Sequence, residues 1–303
     1  ILVVITLVLA AVLFLINNDG KPFYKSVRTK NVPIGDPTRN KQRKIRIQIV
    51  RDANVTPANG AKCAKIIMDV ITKKIIPNVP VQFEYGGLPD YIDDKFLPED
   101  TYDYGVIIIC IVQDITDFTV EKDDDGVAGM VIPLNAKDIK TPGFINGSLY
   151  NLILLGQATI LGDTGEWLVL HEFGHTFGLR HEQVHPNADI KSGMYKERDD
   201  PKLNDPKTYD LGPFDSKSMM NYKYLTSTFT SGTYPPGYNL SNFENKNAKY
   251  SKSDLEAIDA TFKPLKSKPG PLKYITKFDP NTIADFTFET IAVPCRTSWG
   301  VLD

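Results

Sequence analysis

All four histidines of this 303-residue chain fall within residues 171–185, which read HEFGHTFGLRHEQVH. On a helix, His171 and His175 lie on one face, a turn apart, so both rings can reach a single ion. A helix that continued to His181 would place that ring about 15 Å from His171 along the axis, out of reach of the same ion. The chain must therefore turn back, and Gly178 is the predicted helix stop because glycine adopts the left-handed conformation without strain.

These three histidines and the adjacent Glu172 predict a catalytic zinc site. Zinc binds imidazole nitrogens at about 2.0–2.1 Å, and its catalytic sites keep an open position beside three protein ligands. Glu172 is rotated by roughly 100° from His171, so it cannot join the ligands but can take a proton from an activated water. Core packing explains one histidine rather than three at this spacing, and a structural zinc site would recruit a fourth ligand. His185 falls outside the spacing and is expected at the surface or behind the ligands, not bound to the ion.

The residues before the histidines predict a mixed β-sheet backed by two helices, that is, an α+β fold. Apolar and polar residues alternate over 44–50, as in a half-buried strand, whereas 104–112 is continuously apolar, as in a strand buried on both faces. The predicted strands are 44–50, 79–85, 104–112, 126–134 and 149–159, and the predicted helices are 58–75 and 165–177.

The second half of the chain is predicted to be irregular. Pro, Asn, Asp, Tyr and Gly dominate residues 186–250. Helical spacing returns only at 252–262, where Ser251 or Ser253 is the expected cap. The formal net charge of −2 gives no support for a nucleic-acid partner.

The N-terminal residues 1–16 are apolar except for Thr6, which predicts a signal peptide or a membrane anchor. The run starts without Met or basic residues, so we expect it to extend beyond the given sequence. The polar, basic residues 17–43 are interpreted as a stalk or pro-segment, 44–262 as the catalytic domain, and 263–303 as a linker and an unassigned tail. We therefore expect the catalytic domain in an extracytoplasmic space, either secreted or membrane-anchored.

With the zinc pattern H-E-x-x-H-x-x-G-x-x-H in view, the sequence resembles the metzincin zinc endopeptidases. That family carries a "Met-turn" beneath the metal, and SMMNY at 218–222 matches it on Ser218, Met220 and Tyr222. The resemblance implies a metzincin fold: a twisted mixed sheet with two backing helices, then an irregular subdomain with the Met-turn and one helix. It also implies that Tyr222 can reach the metal or the oxyanion of the transition state.

Among metzincins, the chain is most similar to the astacins. Their third histidine is followed by Glu, often as HEQ, and this chain has HEQ at 181–183. The stretch 250–262 also looks like the C-terminal helix of the astacin domain. By resemblance, Glu182 would pair with the mature N-terminus after removal of a pro-segment.

Three features depart from the astacin pattern. The chain has only Cys63, Cys110 and Cys295, too few for the two disulfides of astacin domains, and the sequence does not choose a single bridge among them. Asn221 stands where astacins usually have His. Asp36, in PIGDP, could act like the aspartate with which astacin pro-segments block zinc, although a turn at this position explains it equally.

Two functions follow from these residues. In the first, the protein is a zinc endopeptidase: His171, His175 and His181 hold Zn²⁺, Glu172 is the general base, and a peptide substrate pairs with an edge strand at 126–134. In the second, it is a membrane-tethered binding module with a zinc-stabilised but inactive protease fold. Glu172 favours the enzyme, because an inactive module has no use for it.

Overall fold

The computed structural model describes residues 44–86, 104–115, 128–134, 149–185, 187–191, 213–222, 226–262 and 270–286. The predicted anchor (1–16), the predicted stalk (17–43, with Asp36) and Cys295 lie outside these ranges. Within them, no helix is both long enough and apolar enough to cross a membrane.

In the described part of the chain, seven strands form one mixed sheet. They are β1 (Lys44–Asp52), β2 (Gln82–Tyr85), β3 (Tyr104–Val112), β4 (Gly129–Leu134), β5 (Leu149–Gly156), β6 (Lys273–Tyr274) and β7 (Ala284–Phe286). Six of them follow the order β4-β5-β3-β1-β2-β6, and β7 pairs with the end of β1. The β4–β5 pair is antiparallel and the others are parallel, so the mixed sheet of the sequence analysis is confirmed.

The centre of the sheet is buried on both faces. Residues 107–112 of β3 are all at most 1% exposed, as the continuous apolar run predicts. Alternate residues of β1, β3 and β5, such as Ile47, Ile109 and Ile153, join the main core with the helices. In β3 and β5 the neighbours of opposite parity, such as Ile108 and Leu152, are equally buried, whereas Arg46 and Gln48 of β1 are only half-buried.

The described part of the chain contains four α-helices: α1 (Pro57–Val70), α2 (Gln157–Leu161), α3 (Gly165–Thr176) and α4 (Lys252–Phe262). Helix α1 begins at Thr56, whose hydroxyl accepts the Asn59 N–H at 3.3 Å, and it continues into a π-helical turn at Ile71–Ile75. Helices α1 and α3 lie on the same face of the sheet and share its core.

The predicted strand 149–159 is wrong at its end. Strand β5 stops at Gly156, which is paired with Val112, the last residue of β3. Beyond this point β5 has no ladder partner on the β3 side, and the chain forms α2 instead. Strands β2 and β4 also begin three residues later than predicted, at Gln82 and Gly129.

The segment 270–286, part of the tail that the sequence left unassigned, pairs with the sheet. Strand β6 lies beside β2, where Tyr85 contacts Phe278 edge-to-face at 5.2 Å between ring centroids. Strand β7 continues the parallel pairing along β1, and Arg51 forms a 2.5 Å ion pair with Asp285. The C-terminal region therefore completes one edge of the sheet.

The region after α3 is irregular, as predicted. A second apolar cluster stabilises it, and its buried members are Ala188, Ile190, Phe229, Tyr238 and Phe243. Trp167 of α3 packs against this cluster and the main core alike, and its ring meets Phe243 edge-to-face at 5.7 Å. Cys63 and Cys110 are buried free thiols, so they do not bridge each other.

Candidate metal centre

Helix α3 presents His171 and His175 on one face, as their spacing predicts. Their Nε2 atoms lie 3.2 Å apart, and the ring centroids are 4.8 Å apart. The helix is anchored in the core through Leu168, Val169 and Phe173, each at most 1% exposed. The pair is therefore fixed to a rigid element.

Helix α3 ends at Thr176, and Gly178, two residues later, has a φ of +91°. The Gly178 N–H donates to the His175 carbonyl at 2.9 Å, and the Leu179 N–H donates to the Gly174 carbonyl at 3.0 Å. This is the Schellman arrangement of a glycine stop. It returns the chain so that His181 Nε2 lies 3.0 Å from His175 Nε2, and the predicted break is confirmed.

The ligand atoms of His171, His175 and His181 all lie within 4.8 Å of one another. The Nδ1 atoms of His171 and His175 lie 2.8 Å from the carbonyl oxygens of Met219 and Leu179. A carbonyl only accepts, so each Nδ1 carries the proton and each Nε2 lone pair points into the cluster.

Both helix histidines are held neutral. Burial, followed by the neighbouring His181, lowers the pKa of His171 to about 3. The same two causes place the pKa of His175 well below its ordinary value. Neutral imidazoles are the form that binds a metal ion. A cluster of three imidazole nitrogens, from His171, His175 and His181, fits a divalent cation such as Zn²⁺, Cu²⁺ or Ni²⁺.

The turn 218–222 lies directly beneath the histidines and is held by Asp254 of α4. Asp254 accepts the Ser218 hydroxyl at 2.7 Å and the Met219 N–H at 2.9 Å. It also caps its own helix: it accepts the Ser251 N–H at 3.0 Å, while its own N–H donates to the Ser251 hydroxyl at 3.0 Å. This reciprocal pair is a capping box. Of the two expected caps, Ser251 makes it.

The backbone of Met219 connects Asp254 to His171. Its N–H is bound by Asp254, and its carbonyl lies 2.8 Å from His171 Nδ1 and accepts the Trp167 indole N–H at 3.1 Å. Trp167 precedes His171 by four residues, so helical spacing could have placed the two side chains next to each other. The sequence offered no signal that Asp254 reaches Met219, because 35 residues separate them.

Met220 is fully buried and fits a slot made by a glycine. A Cβ at Gly174 would lie 2.3 Å from the Met220 sulfur, so a side chain at that position would displace the sulfur. The Met220 carbonyl accepts the Glu182 N–H at 3.0 Å, which ties the turn to the residue after His181. Met220, the methionine that fits the S-x-M-x-Y spacing, therefore packs under the site.

The two predicted catalytic side chains have different neighbours. Glu172 is 4% exposed and lies against Gly129 at the start of β4. The Tyr222 hydroxyl lies 3.0 Å from His181 Nε2, and the Tyr222 carbonyl accepts the Tyr238 hydroxyl at 2.6 Å. The fold thus brings the three histidines and Tyr222 together, and Glu172 directly follows His171 on α3.

Two further side chains of the motif are buried. Glu182 is 2% exposed and accepts the Asp215 N–H at 2.6 Å. His185 is fully buried, and its Nδ1 accepts the Asn187 N–H at 3.0 Å. The surface position considered for His185 is therefore wrong. Among the described residues, His185 is not part of the three-histidine cluster.

In comparisons with known proteins, the chain matches no protein-family description and no curated protein. The three-histidine site therefore rests on its own geometry. It is consistent with a metal-dependent hydrolase.

Proposed function

We propose that the protein is a zinc-dependent endopeptidase. The observation that carries this proposal is the convergence of three imidazole donors. A buried carboxylate that is not one of them, Glu172, directly follows the first donor on the same helix. A purely structural metal site has no need for such a group, whereas hydrolysis needs a base beside the ion.

In this proposal, His171, His175 and His181 hold the zinc ion. When bound, the ion supplies Lewis acidity, which polarises the scissile carbonyl and lowers the pKa of water. Glu172 accepts the proton of the attacking water and passes it to the leaving amine. The Tyr222 hydroxyl, beside His181, donates to the developing oxyanion.

The proposed substrate is an extended peptide, because the site lies at a sheet edge. Among the described strands, β5 is the only neighbour of β4, which ends the sheet path. Its backbone groups can therefore pair with an added strand. A peptide on this edge would pass beside Glu172, which contacts the first residue of β4.

We further infer a metzincin relationship, closest to the astacins. The sequence patterns HEFGHTFGLRHEQ and SMMNY support it, as does the buried Met220 beneath the histidines. By the same reasoning, 44–262 is the catalytic domain, with 270–286 adding two strands to its sheet. Residues 1–16 direct it to an extracytoplasmic location as a signal or an anchor.

Glu172→Gln tests the mechanism. With zinc bound, we expect one ion per chain as in the wild type, but cleavage of casein or a quenched peptide reduced by about 10²–10⁴-fold, the usual contribution of general base catalysis. Glu166→Gln is the matched control, since Glu166 lies on the same helix and pairs with Lys74 instead. Undiminished cleavage by Glu172→Gln would refute the mechanism.

A chelator separates the two functions considered for the chain. The endopeptidase must lose cleavage with the ion and regain it when zinc returns. A wild-type protein that binds one zinc ion and cleaves no peptide would instead be the tethered binding module.

A further inference from the structure

Gly129 is the residue at which the edge strand β4 meets the carboxylate of Glu172. A Cβ built at Gly129 would lie 2.6 Å from Glu172 Oε1 and 2.9 Å from Glu172 Cδ. The third contact would be Leu168 Cδ1 at 2.8 Å. Ordinary van der Waals contact begins at 3.4 Å, so the carboxylate occupies the space that a side chain at 129 would take.

Backbone conformation does not explain the glycine. Among the described glycines, positive φ occurs at Gly178, Gly232 and Gly237, and Gly129 is not one of them. A glycine inside a strand weakens it and commonly marks the close approach of another group. At Gly129 that group is the Glu172 carboxylate.

The same residue faces the edge of β4 that has no partner among the described strands. The Gly156 N–H donates to the Ala128 carbonyl at 3.0 Å, so the polar backbone groups of Ala128 point towards β5. In an antiparallel pair these groups alternate in direction. The N–H and C=O of Gly129 and Val131 therefore point away from β5, where an added strand would bind them. Pro133 alternates with them along β4, so its nitrogen also points away from β5. A proline fits there because the β4–β5 ladder needs no N–H from that residue.

We propose that Gly129 is a positioning residue, whose missing side chain lets the Glu172 carboxylate lie against the first edge-facing backbone unit of β4. This proposal rests on the proposed function. The backbone N–H and C=O of Gly129 would bind the substrate strand, and the space left by its missing side chain holds the Glu172 carboxylate. One residue therefore sets the distance between the substrate and the base. Glycine is then required for the rate of reaction and not for the fold or for metal binding.

Gly129→Ala is the first test. Reaching contact distance moves the carboxylate by at least about 0.8 Å, and a misplacement of about 1 Å can cost about 10²-fold in rate. We expect kcat to fall by about 10–100-fold, with KM within about twofold and one zinc ion still bound per chain. An unchanged kcat would overturn the proposal.

Leu168→Val removes the other contact, since valine has no Cδ. The double variant Gly129→Ala/Leu168→Val therefore isolates the effect on Glu172, even if Gly129→Ala alone folds poorly. We expect Leu168→Val alone to keep kcat within about threefold, and the double variant to show the 10–100-fold loss. A double variant that matches Leu168→Val would refute the proposal.

Glu172→Asp provides a double-mutant cycle. The aspartate side chain is one methylene shorter, so its carboxylate lies farther from β4. In that background, Gly129→Ala should lower kcat by less than about threefold. Equal losses in both backgrounds would mean that Gly129 acts on the strand alone, which contradicts the proposal.

A crystal structure of metal-free Gly129→Ala gives a readout that does not need activity. We expect the Glu172 carboxylate to move by at least about 0.8 Å while the β4 backbone stays in place. A displaced β4 with a stationary carboxylate would overturn the proposal. This arm stands even if the wild type cleaves no peptide, an outcome that would refute the proposed function separately.

Discussion

The two regions that supply the site are held by different forces. His171 and His175 lie on α3, whose apolar residues are buried in the main core with the sheet. His181 and Tyr222 lie on irregular chain that hydrogen bonds hold in place, through Glu182 and Met220 on one side and Tyr238 on the other. Hydrophobic packing thus fixes the helix that carries two of the ligands. Hydrogen bonds fix the turn that carries the third and, through the Met219 carbonyl, also the ring of His171.

The irregular region relies on carboxylates that are costly to bury. Asp254 is 3% exposed, and burial raises its pKa despite the hydrogen bonds from Ser218, Met219 and Ser251 that act in the opposite direction. Loss of its carboxylate would leave these donors without the oxygen atoms that now accept them. The two regions should therefore respond differently to mutation.

The largest expected effect is that of Asp254→Ala. Two buried donors and the half-buried Ser251 N–H lose their acceptor, at about 1–3 kcal/mol each, so we expect a loss of roughly 3–9 kcal/mol in the free energy of unfolding. Zinc affinity should fall as well, because Met219 no longer holds the His171 ring. Urea unfolding and zinc competition would measure both. Asp259→Ala, on an exposed position of the same helix, should change neither, and equal effects of the two variants would contradict this account.

Ile67→Ala tests the packed region. Ile67 is fully buried in α1, and its truncation should cost about 2–5 kcal/mol in unfolding free energy. The folded variant should nevertheless bind zinc as tightly as the wild type, because α3 stays anchored through Leu168, Val169 and Phe173. The exposed Lys65→Ala is the control on the same helix. A parallel loss of zinc affinity in Ile67→Ala would remove the distinction between the regions.

Gly178→Ala lies at the boundary between them and should have the smallest effect on stability, about 1–2 kcal/mol for a left-handed alanine. Zinc affinity should fall further than this loss of stability explains, because the turn delivers His181. Gly232→Ala carries the same type of strain, with a φ of +70° and open space around it, but it does not hold a ligand. If both variants bind zinc equally, the turn does not position His181.

The sequence was sufficient where local geometry decides the outcome. The spacing of His171 and His175, the break at Gly178 and the buried run at 104–112 each follow from the period of a helix or a strand. The mixed sheet followed from the succession of these patterns. The sequence also limited the cap of α4 to Ser251 or Ser253, because capping depends on the next three residues, and the structure has Ser251 in that place.

Long-range contacts were beyond this reasoning. The end of β5 at Gly156 is set by the end of β3, and the role of Asp254 depends on a turn 35 residues away. The segment 270–286 has short strands without a clear period, and its place in the sheet is decided by its partners β1 and β2. Such pairings are properties of the assembled sheet and not of the segments themselves.

The pairing of β7 with β1 has a consequence for synthesis. Val50 and Ala284 are register partners although 234 residues separate them in the chain. During synthesis, β1 therefore leaves the ribosome long before β7, which pairs with the last residues of β1, has been made. Contacts of such long range slow folding and leave strand edges exposed to aggregation in the meantime. Nascent chains arrested before residue 284 should accordingly be more sensitive to proteases than the finished protein.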